Sequence, residues 1–254
     1  MYSQEIAVKQ FGSHAAAYLA SPVHATGADL DRLAGRAREL SARAALDLGC
    51  GAGHASFALA RGGAARVTAC DPAEDMVALV AREAAARGHH AIDTRVAASE
   101  QLPFESGSFD LIATRYSAHH WADVPRALGE CARVLAPNGR LIVIDVVAPE
   151  TPLLDTVLQV VEFLRDASHV RDYRVTEWRA MQEAAGFAPA TVDSWKIAID
   201  FPSWIARIGT PPDRVHALQA VVPALPREAQ DYFRFDAQLS FAIDTAWIEA
   251  IKPR

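Results

Sequence analysis

Leu46-Asp47-Leu48-Gly49-Cys50-Gly51-Ala52-Gly53-His54 is an apolar run that gives way to glycine at alternate positions and then to helix-forming residues. A short apolar run of this kind reads as a buried strand. Glycine directly after a strand lets the backbone approach a ligand without a Cβ in the way. Dinucleotide-binding loops carry glycines at the same place, but their G-x-G-x-x-G spacing requires glycine at position 54, and His54 stands there.

Outward from this loop, residues 44–48, 66–70 and 92–96 are short apolar runs bounded by turn residues and read as strands, with helices expected over 54–61 and 74–87. Residues 109–114 and 140–147 give two more strands, separated by a helix over 124–135 that stops at the Pro137-Asn138-Gly139 turn. Upstream, Ile6, Phe11 and Tyr18, then Leu30, Leu33 and Leu40, space an apolar stripe over two helices. Downstream the alternation loosens. Helices are expected over 152–165 and 176–185, a strand over 191–200, and helix over 213–232 broken at Pro223 and Pro226, before an edge or hairpin strand over 239–251. Four of the five tryptophans (Trp178, Trp195, Trp204 and Trp247) lie in the C-terminal half and Trp121 just before it, which points to aromatic surface around the later strands.

Alternating strands and helices imply parallel pairing with right-handed crossovers. The expectation is an α/β fold: a Rossmann-like, seven-stranded, mostly parallel sheet with helices on both faces, an N-terminal helical segment and a helical insertion after strand five. The chain reads as one domain over 1–254, with a helical lid at 1–42, a binding core at 43–148 and an acceptor-side insertion with the final strands at 149–254. Such sheets bind ligands at the carboxyl ends of their strands.

Composition narrows the partners. With 254 residues, 51% hydrophobic and 22% charged, the chain is long enough for a large core. Its net charge of −6, with basic residues scattered among acidic ones, offers no footprint for nucleic acid. The N-terminus has no signal-like apolar run and no membrane span is legible, so a cytoplasmic monomer or homodimer is expected. Cys50, Cys70 and Cys131 are far apart and unpaired in spacing, which suits small buried hydrophobes better than disulfides or zinc.

The second strand ends in Asp71, eighteen residues past Gly53, where a carboxylate accepts the hydroxyls of a ribose; the alternative role for Asp71 is to cap the helix opening at Pro72. D-x-G-x-G-x-G followed by an acid at the end of strand two resembles the class I S-adenosylmethionine (SAM)-dependent methyltransferases. The resemblance continues through Leu102-Pro103-Phe104-Glu105-Ser106-Gly107-Ser108-Phe109-Asp110 and Arg133-Val134-Leu135-Ala136-Pro137-Asn138-Gly139-Arg140-Leu141 and covers about residues 40 to 150. Within the family the chain is similar to UbiE-like enzymes, and to a bacterial branch around YafE and YcgJ through residues 115–121, 164–171 and Glu177-Trp178.

That resemblance implies methyl transfer from SAM, with S-adenosylhomocysteine as product, to a small-molecule acceptor without a metal. It places Asp47, Gly49, Gly51 and Gly53 against the cofactor, Asp71 on the ribose, Met76 against adenine, and Arg115 and Tyr18 at the cofactor site. Relatives carry Asp-Ala-Glu before L-P-F, the Asp meeting the adenine amino group. Here the positions read Ala98-Ser99-Glu100, so the contact falls to the backbone of Ala98 or Ser99 and adenine recognition is expected to be looser.

A sulfonium methyl is already activated, so the protein's task is alignment, with a base needed where the acceptor carries a proton. His119 and His120 follow strand four and Asp145 lies near the end of strand five. His120 is the expected base, His119 its alternate and Asp145 an orienting partner. The other reading has one histidine packing beside Trp121 and the other capping the next helix. Adjacent histidines diverge, so the pair is not expected to share a metal. Tyr18 and Phe11 either close over the sulfonium or pack their helix on the sheet. Arg165, His169, Arg171, Tyr173 and Trp178 either form an acceptor-selecting lid or lie on a solvated helix and loop. Two alternatives stand beside methyl transfer: a nicotinamide-dependent oxidoreductase on a similar sheet, and a SAM-binding module without catalysis.

Overall fold

The computed structural model describes residues 5, 6, 8 and 26–254. Helix α1 (Ala28–Glu39) leads into β1 (Ala44–Leu48), α2 (His54–Arg61), β2 (Arg66–Asp71), α3 (Glu74–Ala86) and β3 (Ile92–Val96). Next come β4 (Phe109–Arg115), a 3₁₀ turn (Ala118–His120), α4 (Val124–Val134), β5 (Leu135–Val146), α5 (Pro152–Arg165) and α6 (Val175–Ala184). The chain closes with β6 (Ala188–Ile199), α7 (Phe201–Arg207), α8 (Pro212–Val221), a 3₁₀ turn (Val222–Ala224), α9 (Arg227–Phe233) and β7 (Phe241–Ile251). Phe11 and Tyr18 lie outside the described residues.

The seven strands form one sheet in the order β3-β2-β1-β4-β5-β7-β6. The first five pair in parallel, and β7 runs antiparallel between β5 and β6. Leu141, Ile142, Val143 and Ile144 in β5 are all fully buried, as expected of a strand covered on both faces. Their side chains alternate. Ile142 and Ile144 join Ala45 and Leu111 under α1, α2 and α3, whereas Leu141 and Val143 join Leu46 and Ile112 under α4 and α6. A third cluster packs α5, α7, α8 and α9 over Val146, Phe241 and Ile243. Because β7 is antiparallel, Phe241 lies at the carboxyl end of β5, so this helical insertion stands beside the ligand edge.

Three expectations are corrected. Residues 239–251 were expected as an edge or hairpin strand; β7 does pair antiparallel with the preceding β6, but it lies between β5 and β6, buried from Thr245 through Ala250, and half-exposed β6 takes the edge. The Pro137-Asn138-Gly139 turn lies within β5 as a register shift against β4, with Asn138 at φ 64° donating its N–H to the Lys252 carbonyl at 2.8 Å. The tryptophans are core: Trp121, Trp178, Trp204 and Trp247 are buried, and only Trp195, on the edge strand, is partly exposed. The three cysteines are buried and free, and no helix among the described residues is long and apolar enough to cross a membrane.

Candidate active site

Strands β1, β2 and β4 end on a common open cleft enclosing about 1010 Å³, lined by the glycine loop, Asp71, Met76, Ser99, Arg115, Tyr116 and His120. This is the edge at which a doubly wound sheet places its ligand.

The glycine loop is held from below, with the N–H groups of Gly49 and Cys50 both donating to the Cys70 carbonyl, at 2.8 and 2.9 Å. At Gly49 a Cβ would lie 1.8 Å from Ser117 Oγ, so this glycine is required for the loop to pack on the segment after β4. At Gly51 (φ +48°) a Cβ would meet nothing within 4 Å. The open space there is the cleft. Gly53 (φ 85°) is the N-cap of α2 and packs on Val80 and Phe57.

Three charged groups surround this loop. Asp47 accepts the Ser56 hydroxyl at Oδ2 (2.6 Å), while its Oδ1 is buried and has no hydrogen-bond partner among the described residues. Burial raises its pKa to about 6 against the opposing Ser56 hydrogen bond. Asp71 accepts the N–H of Gly51 at Oδ2 (3.0 Å) and that of Ala73 at Oδ1 (2.9 Å), and burial raises its pKa too. Ala73, not Asp71, is the N-cap of α3, so the carboxylate braces the turn and the glycine loop and does not cap the helix. Arg115 forms a buried ion pair with Asp29 of α1 and lies 4.6 Å over the ring of Tyr116, a non-glycine residue held at φ 50°. Such backbone strain in a cleft is characteristic of functional sites.

Of the expected cofactor residues, Asp47, Gly49, Gly51, Asp71, Met76, Ser99 and Arg115 are brought together here, while Gly53 and Ala98 are not among the lining residues and Tyr18 is outside the described ones. Sequence reasoning missed Glu100, which accepts the Ser99 hydroxyl (3.0 Å) and the N–H groups of Ala122 and Asp123 (2.9 and 3.2 Å). It thereby ties the β3 end to the β4 end.

The two histidines divide their roles differently from the expectation. Asp145 does not orient His120. Its Oδ1 lies 2.7 Å from His119 Nδ1, and its oxygens also accept the N–H groups of Ala118 (2.8 Å) and Val146 (2.9 Å). Burial opposes a charge on His119, but Asp145 outweighs it and raises the pKa to about 9. His120 lines the cleft, with its ring centroid 4.2 Å from that of His119, and burial together with the positive neighbour pushes its pKa down to about 4. Neither histidine caps α4. Asp123 does, accepting the Arg126 N–H at 3.0 Å.

The stretch from the end of α5 into α6 is packed rather than solvated. Arg165, Asp166, Ser168, His169, Asp172 and Trp178 are all buried, and the N–H groups of Val170 and Arg171 donate to the His119 carbonyl. His169 pairs with Gln159 at 3.0 Å, and Arg171 with Asp155 at 2.9 Å. Among the described residues no group of histidine, cysteine and acidic side chains is arranged to hold a metal ion.

Residues 46–143 match the methyltransferase domain family. The chain is 35% identical to YcgJ of Bacillus subtilis, named as a methyltransferase, over 95% of this chain and 97% of that protein. The crystal structure of YcgJ superposes with a TM-score of 0.82 at 33% identity, covering 88% of this chain and 99% of that one. YafE of Escherichia coli is 40% identical over 73% of this chain and 90% of its own length. The demethylmenaquinone methyltransferase of Thermus thermophilus is 37% identical over 48% of this chain and 57% of its own length. A doubly wound sheet with a glycine loop and an acidic strand end, in a chain similar to YcgJ along nearly the full length of both, defines a SAM-dependent methyltransferase and sets the nicotinamide oxidoreductase reading aside. The chain belongs to the class I SAM-dependent methyltransferase family, in the branch of YafE and YcgJ.

Proposed function

We propose that this enzyme methylates a small molecule at a protic nucleophile, with SAM across the glycine loop and His120 as the proton acceptor. Bound SAM supplies a methyl group on a sulfonium that needs only an aligned nucleophile. The described residues fit it. The orphaned Oδ1 of Asp47 is a buried acceptor suited to the donor of the methionine ammonium, and the open direction at Gly51 leaves backbone room for the methionine and ribose portions. Asp71 would exchange its loop contacts for ribose hydroxyls, and Arg115 would oppose the cofactor carboxylate. Met76 and Ser99 would flank the base, without a carboxylate at position 98 to read its amino group.

The observation that carries the acceptor chemistry is His120, a neutral imidazole in the same cleft as the glycine loop and Asp71. A base is superfluous for a nucleophile already deprotonated, so its placement points to an O–H, N–H or activated C–H acceptor. The test is incubation of the purified enzyme and isotopically methyl-labelled SAM with fractionated small-metabolite extracts, followed by identification of the labelled product. Label in a protic small molecule supports the reading; label only in protein or nucleic acid overturns it.

Asp71→Ala should weaken SAM binding while the chain stays folded. Each charge-assisted hydrogen bond lost is worth about 1.5–3 kcal/mol, or roughly ten- to more than a hundred-fold in affinity. Titration calorimetry with S-adenosylhomocysteine reads this directly, and unchanged affinity would confine Asp71 to its turn-bracing contact with Ala73.

A further inference from the structure

Asp166 and Ser168, in the segment after α5, are almost completely buried (1% and 0% exposed) and have no part in the chemistry so far described. Asp166 Oδ1 receives both the Ser168 N–H (2.8 Å) and the Ser168 hydroxyl (2.6 Å). Burial opposes the charge on Asp166, but the two Ser168 donors and Arg165, whose Nη1 is 3.9 Å from Oδ2, hold the carboxyl ionised. An ionised carboxylate only accepts, so the Ser168 hydroxyl hydrogen is committed to Asp166. His120 Nδ1 lies 3.2 Å from Ser168 Oγ and 3.2 Å from the Ser168 carbonyl oxygen. The first has directed its hydrogen elsewhere and the second has none, so both can only accept. Nδ1 must therefore carry the hydrogen.

We propose that Asp166 and Ser168 are positioning residues that hold His120 as its Nδ1–H tautomer, which makes Nε2 the proton-accepting nitrogen of the ring. A neutral imidazole free of such contacts divides between two tautomers, and only one presents its lone pair in a given direction. Asp166 acts through Ser168 and does not touch the ring by hydrogen bond. The same turn is fixed from the other side by Asp145, which holds the Ala118 N–H and His119. Among the described residues, the charged and titratable groups around the ring include His119 and Asp145 toward the sheet, Arg165 at the end of α5, and Asp166 and His169 beyond it. This inference rests on the reading of His120 as the group that meets the acceptor, but the tautomer itself is measurable without an acceptor.

The test uses the full chain with ¹⁵N-labelled histidine, saturated with S-adenosylhomocysteine, and long-range ¹H–¹⁵N correlation near neutral pH. His120 should show a protonated Nδ1 and an unprotonated Nε2. Asp166→Ala should give a mixture of tautomers and lower methyl transfer from labelled SAM into metabolite extract by roughly ten-fold or more, with S-adenosylhomocysteine affinity unchanged. Asp166→Asn, whose Oδ1 still accepts both Ser168 donors, should restore the single tautomer and most of the turnover. A protonated Nε2 in the wild type overturns the proposal even if the alanine variant fails to fold, as does an Asp166→Ala protein with wild-type tautomer and turnover. A fixed Nδ1–H tautomer together with full turnover in His120→Gln would sustain the positioning and overturn the base reading instead.

Discussion

Gly51→Val is expected to abolish measurable SAM and S-adenosylhomocysteine binding, a loss of more than a hundred-fold, while the protein still folds. Two effects act on the one residue. Its φ of +48° lies in the left-handed region, which costs a residue with a Cβ roughly 1–2 kcal/mol, and β-branching stiffens it further. Of greater consequence for binding, the new side chain would project into the cleft, where nothing among the described residues beyond its chain neighbours lies within 4 Å of a Cβ. The void that lets the variant fold is the volume that the ligand needs. Gly49→Ala should behave in the opposite way, since its Cβ would fall 1.8 Å from Ser117 Oγ and the damage is to the packing of the loop itself. Thermal unfolding with and without S-adenosylhomocysteine separates the two cases, because a ligand that binds only the folded state raises Tm by mass action. Gly51→Val should show a modest fall in Tm and no ligand shift; a normal shift would remove Gly51 from the cofactor site.

Wherever local pattern and burial agreed, the sequence was sufficient. β1 and β3 fall at the expected residues, and β2 and β4 extend one residue past theirs, because each run ends at turn residues and β1, β2 and β4 are parallel strands buried on both faces. The central placement of β7 was not legible, since its alternation suits an edge or hairpin strand and the packing of α5, α7, α8 and α9 over its start is not visible in the local pattern. The cofactor side of the cleft was legible because a loop and the next strand end supply it within a short stretch of chain. The acceptor side was not. Asp145 meets His119 and not His120 because the 3₁₀ turn after β4 aims one ring at the sheet and the other at the cleft, a choice set by backbone angles that adjacent histidines do not reveal. Ser168 and Asp166 lie some fifty residues from His120, in a stretch whose polar composition suggests a solvated loop; the contact of Ser168 with the ring exists only because α5 packs on the end of β5.

His120→Gln should lower turnover on the true acceptor by roughly 10²–10⁴-fold with little change in SAM affinity, the range expected when a positioned proton acceptor is lost. Its pH dependence carries more information than its size. An ordinary histidine base would give activity that rises through about pH 6.5. Here burial and the positive His119 hold His120 near 4, so the neutral, proton-accepting form is populated at all higher pH values. Wild-type kcat/KM should accordingly rise only at acid pH, through about 4, and be flat across the neutral range. His119→Gln keeps a donor for Asp145 but removes the neighbouring charge that disfavours protonation of His120. The sign follows: His120 becomes easier to protonate, its pKa rises, and the acid limb of the profile moves to higher pH, while the plateau rate stays close to wild type. Asp145→Asn weakens the interaction that keeps His119 charged and should move the limb in the same direction by less, because Asp145 also favours protonation of His120 directly. A wild-type profile that climbs through the ordinary histidine range, or one that His119→Gln leaves in place, would show that the two rings do not share this electrostatic arrangement during turnover.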